Sequence, residues 1–136
     1  MNGHATRIAV IEDEPPIRRF LRASLQAEGF DVLECGTARD GLRHITQDRP
    51  HLVLLDLALP DGDGVRLIEE VRRWSAVPII VLSARGEEKS KISALDAGAD
   101  DYMTKPFGVG ELLARIRAAL RHAADHANPQ PPSSLD

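Results

Sequence analysis

Short apolar runs alternate with longer helix-period segments five times along the chain, and this alternation restricts the fold more than any other feature. Arg7-Ile8-Ala9-Val10-Ile11, Phe30 to Leu33, Leu52-Val53-Leu54-Leu55, Pro78-Ile79-Ile80-Val81-Leu82 and a short stretch at Tyr102 and Met103 read as strands. The third is apolar throughout, the pattern of a strand covered on both faces. Between the strands, apolar residues recur at helical spacing. Ile17, Phe20, Leu21 and Leu25 form one stripe, Leu42 and Ile45 a second, and Val65, Leu67, Ile68 and Val71 a third. A charged segment from about Glu87 to Ala97 carries only Ile92 and Leu95 as large apolar residues, and a last helix is predicted from Val109 to His122 on Leu112, Leu113, Ile116 and Leu120. Pro15 and Pro16 suit a first helical turn, Gly29 a helix end, and Thr37 with Asp40 a capping box. Leu57 to Gly64, with Pro60, Gly62 and Gly64, reads as a loop. Strands alternating with helices predict a doubly wound, five-stranded parallel sheet with five helices on its two faces. In such sheets a ligand sits beyond the carboxyl ends of the strands, near a switch in strand order.

A chain of 136 residues suits one domain, assigned to 1–122, and a polar, Pro-rich tail at 123–136 has linker composition. The formal net charge of −4 argues against a domain that grips nucleic acid by its phosphates. Cys35 is the single cysteine, which fits a reducing cytoplasm. No apolar run reaches bilayer-spanning length, so no membrane association is expected.

The predicted strand ends collect the chemistry. Glu12 and Asp13 follow the first strand, Asp56 the third, Ser83 the fourth, and Lys105 the fifth, directly before Pro106. Three carboxylates at one sheet edge repel one another and call for a compensating cation. Hard oxygen donors favour Mg²⁺, which is commonly held by one or two carboxylates together with a phosphate. A lysine and a hydroxyl at the same rim can take the remaining phosphoryl oxygens. Neither a Gly-x-x-x-x-Gly-Lys-Ser/Thr loop nor a Gly-x-Gly-x-x-Gly after the first strand is present. The phosphoryl group is therefore expected to be received covalently, on a carboxylate, rather than bound as a nucleotide.

Five stretches carry a family resemblance across Arg7 to His122: Val10-Ile11-Glu12-Asp13-Glu14, Leu54-Leu55-Asp56-Leu57, Leu59-Pro60-Asp61-Gly62-Asp63-Gly64, Val77-Pro78-Ile79-Ile80-Val81-Leu82-Ser83-Ala84, and Gly98 to Phe107. The sequence resembles the receiver (CheY-like, flavodoxin-like) domain of two-component response regulators. The last stretch resembles the OmpR/PhoB subfamily, and Arg72-Arg73-Trp74-Ser75-Ala76-Val77-Pro78 resembles its potassium-uptake regulators. The resemblance implies that Asp56 is the phosphoacceptor, that Asp13, Asp56 and the Ala58 backbone carbonyl bind Mg²⁺, and that Glu12 acts on the metal through water. It implies that Lys105 and Ser83 contact the phosphoryl oxygens, that Tyr102 is an aromatic switch, and that Lys105-Pro106 is a cis peptide. Glu12 and Ser83 stand where the commonest pattern has Asp and Thr.

By the same resemblance the chain is a switch rather than an enzyme, assisting only its own phosphorylation and dephosphorylation. A sensor histidine kinase would be the donor. A homodimer would form through the fourth helix, fifth strand and fifth helix, with Lys91, Asp96, Asp101, Glu111, Arg115 and Arg117 pairing across a two-fold axis beside Ile92, Leu95 and Ala114. A DNA-binding domain is expected beyond Asp136, and DNA would be contacted only through it. A free-standing receiver that binds a target protein is the nearest alternative. A phosphatase using an aspartyl phosphate needs a second acid two residues after its nucleophile, where this chain has Ala58. Of the remaining residues, His44 and His51 are read as surface residues, Cys35 as an unactivated small residue, and Trp74 as a cover for the end of the third helix.

Overall fold

The computed structural model describes residues 5–127. Its central sheet comprises β1 (Arg7–Ile11), β2 (Asp31–Cys35), β3 (Leu52–Leu55), β4 (Ile79–Ser83) and β5 (Asp101–Thr104). All neighbouring strands are parallel, in the spatial order β2-β1-β3-β4-β5. Helices α1 (Pro15–Ala27), α2 (Ala38–Asp48), α3 (Gly64–Arg72), α4 (Glu88–Ala97) and α5 (Val109–Ala127) fill the crossovers.

Strand periodicity divides the interior into two layers. Ala9, Ile11, Val53, Leu55, Ile79 and Val81 face α2, α3 and α4, meeting Ile45, Leu67, Ile68, Val71 and Ala94. Ile8, Val10, Leu52, Leu54, Ile80, Leu82 and Met103 face the other way, onto Leu21 and Leu25 of α1 and Leu112 and Ile116 of α5. The three middle strands are therefore apolar on both faces, whereas edge strand β2 is only partly covered along most of its length. Truncating one fully buried leucine here, such as Leu54→Ala, would cost about 2–5 kcal/mol through lost transfer energy and the cavity left behind.

The register brings the strand ends level. Val10 lies beside Leu54 and Ile11 beside Leu55, so Glu12 and Asp13 emerge next to Asp56. Leu82 lies beside Met103 and Ser83 beside Thr104, which delivers Lys105 to the same edge. Between β1 and β3 the strand order reverses direction, the crevice in which α/β sheets of this kind bind ligands.

Four local features differ from the expectations. Strand β2 starts at Asp31 because Phe30 is used to close α1: its N–H donates to the Leu25 carbonyl (3.1 Å) and that of Gly29 to Gln26 (3.0 Å), a helix end completed by Gly29 at φ +88°. The loop after β3 contains a two-residue antiparallel ribbon, Ala58–Leu59 against Gly62–Asp63. Only half of the capping box forms; Thr37 Oγ1 accepts from the Asp40 N–H (3.0 Å), while the Asp40 carboxylate turns to Arg43 (3.2 Å). Finally, α5 runs to Ala127, five residues past His122. Ala123 and Ala124 have high helix propensity, which suits this continuation. The rest of the Pro-rich tail lies outside the described residues. No helix among the described residues is long and apolar enough to cross a membrane.

Candidate functional site

Backbone hydrogen bonds carry the sheet ladder one residue past the strands, to the residues that matter. The Glu12 N–H donates to Cys35 (2.9 Å), that of Asp56 to Ile11 (2.9 Å), and that of Lys105 to Ser83 (2.8 Å). Each side chain at the edge therefore rises from a backbone fixed by its neighbour strand. Glu12, Asp13 and Asp56 each place a carboxylate oxygen within 4.8 Å of the other two. Glu12 is 2% exposed and Asp56 5%; Asp13 is half-buried.

Lys105 is the cation that answers these charges. Its Nζ lies 2.8 Å from Glu12 Oε1 and 3.5 Å from Asp56 Oδ2. Burial opposes the lysine charge, but the Glu12 hydrogen bond and the charges of Asp56, Glu12 and Glu14 together hold its pKa above the ordinary value. Burial pushes the Glu12 carboxyl up, aided by the Asp56 charge, and the bonds from Lys105 and from the Glu14 N–H (3.2 Å) recover only part of this. The peptide before Pro106 is cis. Hard, partly desolvated oxygens with one lysine among three acids make a donor set suited to a small divalent cation such as Mg²⁺.

Asp56 is held at both ends of its carboxylate, by Lys105 and by the Ala58 N–H, which donates to Oδ1 (3.3 Å). Gly64 is required here by a close approach: a Cβ at Gly64 would lie 2.9 Å from both the Asp56 carbonyl oxygen and the Leu57 Cα. Ser83 ends β4 fully buried, and its Oγ accepts from the Arg85 N–H (3.0 Å). Tyr102 is buried in β5 and donates its hydroxyl to the Arg85 carbonyl. One residue, Arg85, thus links the Ser83 hydroxyl to the Tyr102 ring.

Three contributors to the site have no local sequence signal. Arg18, one turn into α1, donates to the Glu12 carbonyl (2.7 Å) and pairs with Glu34 of β2 (3.4 Å). Arg85 joins Ser83 to Tyr102, and its guanidinium lies 3.9 Å from Asp63. Asp61, between the two arms of the ribbon, accepts from the backbone of Ala38 (2.7 Å) and Arg39 (3.0 Å) at the start of α2; those two donors hold its carboxyl below its usual pKa. Each joins residues that share no local motif, so only the folded register reveals it.

The residues expected to pair across a dimer axis are placed differently from one another. Lys91, Asp96, Glu111 and Arg117 are exposed. Arg115, however, closes on Asp101 of its own chain, with Nη1 2.9 Å from both carboxylate oxygens, and on Glu111 (2.9 Å). Ile92 and Leu95 of α4 leave 49% and 37% of their surface exposed, and Ala114 of α5 is exposed as well.

The remaining residues are quiet. His44 pairs with Asp48 (2.6 Å), and His51 Nδ1 accepts from the Arg7 N–H (2.9 Å). Burial pushes the Cys35 thiol up to about 12. Trp74 follows α3 but stays 47% exposed, lining a hollow of about 570 Å³ with Arg72, Pro78 and Ala119. Glu12, Asp13 and Asp56 do not line that hollow. A second hollow of about 440 Å³, lined by Pro16, Ile17, Phe20, Lys105, Pro106 and Phe107, does border the site.

Comparison with known proteins agrees with this geometry. The family described as the response regulator receiver domain matches residues 8–117. The KDP operon transcriptional regulatory protein KdpE of Escherichia coli (strain K12) is 55% identical over 126 residues, covering 93% of this chain and 56% of that protein. The phosphate regulon transcriptional regulatory protein PhoB of the same strain is 40% identical over 126 residues, covering 90% and 55%. The chain thus spans about half the length of these curated relatives. Among solved structures, the receiver domain of the sensor histidine kinase PA1611 from Pseudomonas aeruginosa PAO1, with a magnesium ion coordinated in its active site cleft, superposes with a TM-score of 0.80 at 28% identity, covering 86% of this chain and 98% of that one.

Proposed function

The chain belongs to the response regulator receiver domain family, and from that premise we propose that it is a phosphorylation-dependent switch whose acceptor is Asp56. The observation that carries the reading is Lys105, held between Glu12 and Asp56 within an acidic cluster at the carboxyl edge of the sheet. Asp13, Asp56 and the Ala58 carbonyl would hold Mg²⁺ directly and Glu12 through water. The bound cation would supply positive charge to the phosphoryl oxygens.

The chain's own residues do the rest. A sensor histidine kinase presents a phosphohistidine; an Asp56 carboxylate oxygen attacks phosphorus, the P–N bond breaks, and the histidine nitrogen leaves. An aspartyl phosphate results. Lys105 moves from Glu12 toward the new phosphoryl oxygens, where a charge-assisted hydrogen bond is strongest. Ser83 Oγ hydrogen-bonds one of them and so loosens its bond with the Arg85 N–H, and Arg85 carries that change to Tyr102. The apolar hollow at Ile17, Phe20 and Phe107 gives the kinase a landing surface beside Lys105.

Phosphorylation then favours a symmetric dimer through α4, β5 and α5. Ile92, Leu95 and Ala114 supply apolar contact, and Lys91–Glu111, Asp96–Arg117 and Asp101–Arg115 set the register. The Arg115–Asp101 pair already made within one chain keeps that arginine in place for exchange across the axis. Exposed pairs contribute only about 0–1 kcal/mol each, so the apolar patch sets most of the affinity. In the longer protein, the tail would lead to a DNA-binding domain that regulates transcription in the cytoplasm, with potassium-uptake genes as the target suggested by the KdpE likeness. Ala58, two residues past Asp56, argues against a hydrolase that needs an acid there.

The test is incubation with a small-molecule phosphodonor and Mg²⁺. One phosphoryl mass should be added to the wild-type chain, and none to Asp56→Asn or in the presence of a chelator. Stoichiometric labelling of Asp56→Asn would overturn the assignment.

A further inference from the structure

We propose that Asp61 is a positioning residue for the cation site, tethering the segment that carries Ala58 to the amino end of α2. The proposal rests on the Mg²⁺ reading above.

Four backbone N–H groups at the start of an α-helix lack intrahelical partners or depend on the cap. In α2 they are all accounted for. Ala38 and Arg39 donate to the two oxygens of Asp61 (2.7 and 3.0 Å), Asp40 donates to Thr37 Oγ1 (3.0 Å), and Gly41 donates to the Thr37 carbonyl (3.0 Å). Half of this cap is therefore local, and half comes from a residue more than twenty positions away. A carboxylate receiving two backbone N–H groups at a helix start is favoured by both hydrogen bonding and the helix dipole.

The distant half does something the local half cannot. Asp61 lies in the two-residue connection of the ribbon whose arms are Ala58–Leu59 and Gly62–Asp63. Behind it the segment is fixed: Leu57 is fully buried, its carbonyl accepts from the Gly64 N–H (2.8 Å), and Asp63 accepts from the Val65 N–H (3.0 Å) to start α3. Pro60, Asp61 and Gly62 are exposed, so the tip has no comparable packing on its outer side. Its hold there is the pair of Asp61 bonds to α2. Releasing them leaves the ribbon held from its inner side, by its base and the buried Leu59, with nothing comparable at the tip, and Ala58, beside Leu59 in one arm of that ribbon, is the residue whose carbonyl would ligate the cation. A metal ligand supplied by backbone cannot be reoriented by rotamer choice, so its aim depends on the segment around it.

Asp61→Ala and Thr37→Ala both uncap α2, but only the first frees the ribbon, and this separates positioning from helix stability. Titration of MgCl₂ into the 136-residue chain, followed by calorimetry, is expected to show about tenfold weaker binding for Asp61→Ala, the low end for residues that orient a metal's ligands, with Thr37→Ala close to wild type. Amide hydrogen exchange at Ala58 and Leu59 should accelerate in Asp61→Ala and stay unchanged in Thr37→Ala. Wild-type Mg²⁺ affinity in Asp61→Ala, or an equal loss in Thr37→Ala, would overturn the proposal. Absence of Mg²⁺ binding in the wild-type chain would instead overturn the cation reading, and exchange rates unaltered by Asp61→Ala would overturn the tether itself.

Discussion

Removing one charge from the acidic cluster should stabilise the protein while crippling its site. Glu12, Asp13 and Asp56 offer carboxylate oxygens no more than 4.8 Å apart. At that separation two unit charges repel by about 3.5 kcal/mol at an effective dielectric of about 20, and by about 0.9 kcal/mol in bulk water. Asp13 is half-buried, which places each of its two repulsions toward the lower figure, and Lys105 offsets part of the sum. Asp13→Asn preserves shape and removes the charge. It should therefore raise the stability of the metal-free chain by about 1–2 kcal/mol at low ionic strength, or roughly 3–10 °C in midpoint for a domain of this size. Mg²⁺ should reverse the order. A ligand at 100 times its Kd adds about 2.7 kcal/mol to the state that binds it, and that gain belongs to the wild type. Thermal unfolding followed by circular dichroism, in low salt with a chelator and again with saturating MgCl₂, reads both halves. An Asp13→Asn chain less stable than wild type in chelator, or equal Mg²⁺-induced shifts in the two proteins, would refute the electrostatic argument.

Further outcomes follow from the same contacts. Ser83→Ala should still accept a phosphoryl group on Asp56 yet fail to dimerise on treatment with beryllofluoride, as read by sedimentation; normal dimerisation would remove Ser83 from the relay. Asp100 Oδ2 receives both the Ile79 N–H (2.8 Å) and Arg72 Nη2 (2.8 Å), so Asp100→Ala should cost about 1–3 kcal/mol in urea unfolding by leaving a buried amide unsatisfied. The Cys35 thiol, pushed up to about 12 by burial, should resist a thiol reagent at pH 8 in the native state and react on unfolding. With its folded pKa raised, its contribution to stability is fully present below about pH 9, its unfolded range, and is lost as pH rises toward 12; Cys35→Ala should lack that alkaline component.

What the sequence determined by itself is whatever local periodicity and chain order can encode. Alternating strands and helices specify a parallel doubly wound sheet, because parallel neighbours need crossovers and apolar strands need cover on both faces. The same order sends Glu12, Asp13, Asp56, Ser83 and Lys105 to one edge, since each directly follows or ends a strand and all strands point the same way. Only tertiary structure decided which of them touch. Lys105 and Glu12 are 93 positions apart, and their 2.8 Å contact exists because three registers add correctly across the sheet; a slip of one residue in any of them would turn the side chains to opposite faces. Arg115 turning to its own Asp101, Arg18 reaching the Glu12 carbonyl and Asp61 capping α2 depend in the same way on where separate elements stop relative to one another. Hydrophobic patterning fixes which face of each element is buried. It leaves the polar ends free, and their partners are chosen by a few ångströms of placement that only the packed core supplies.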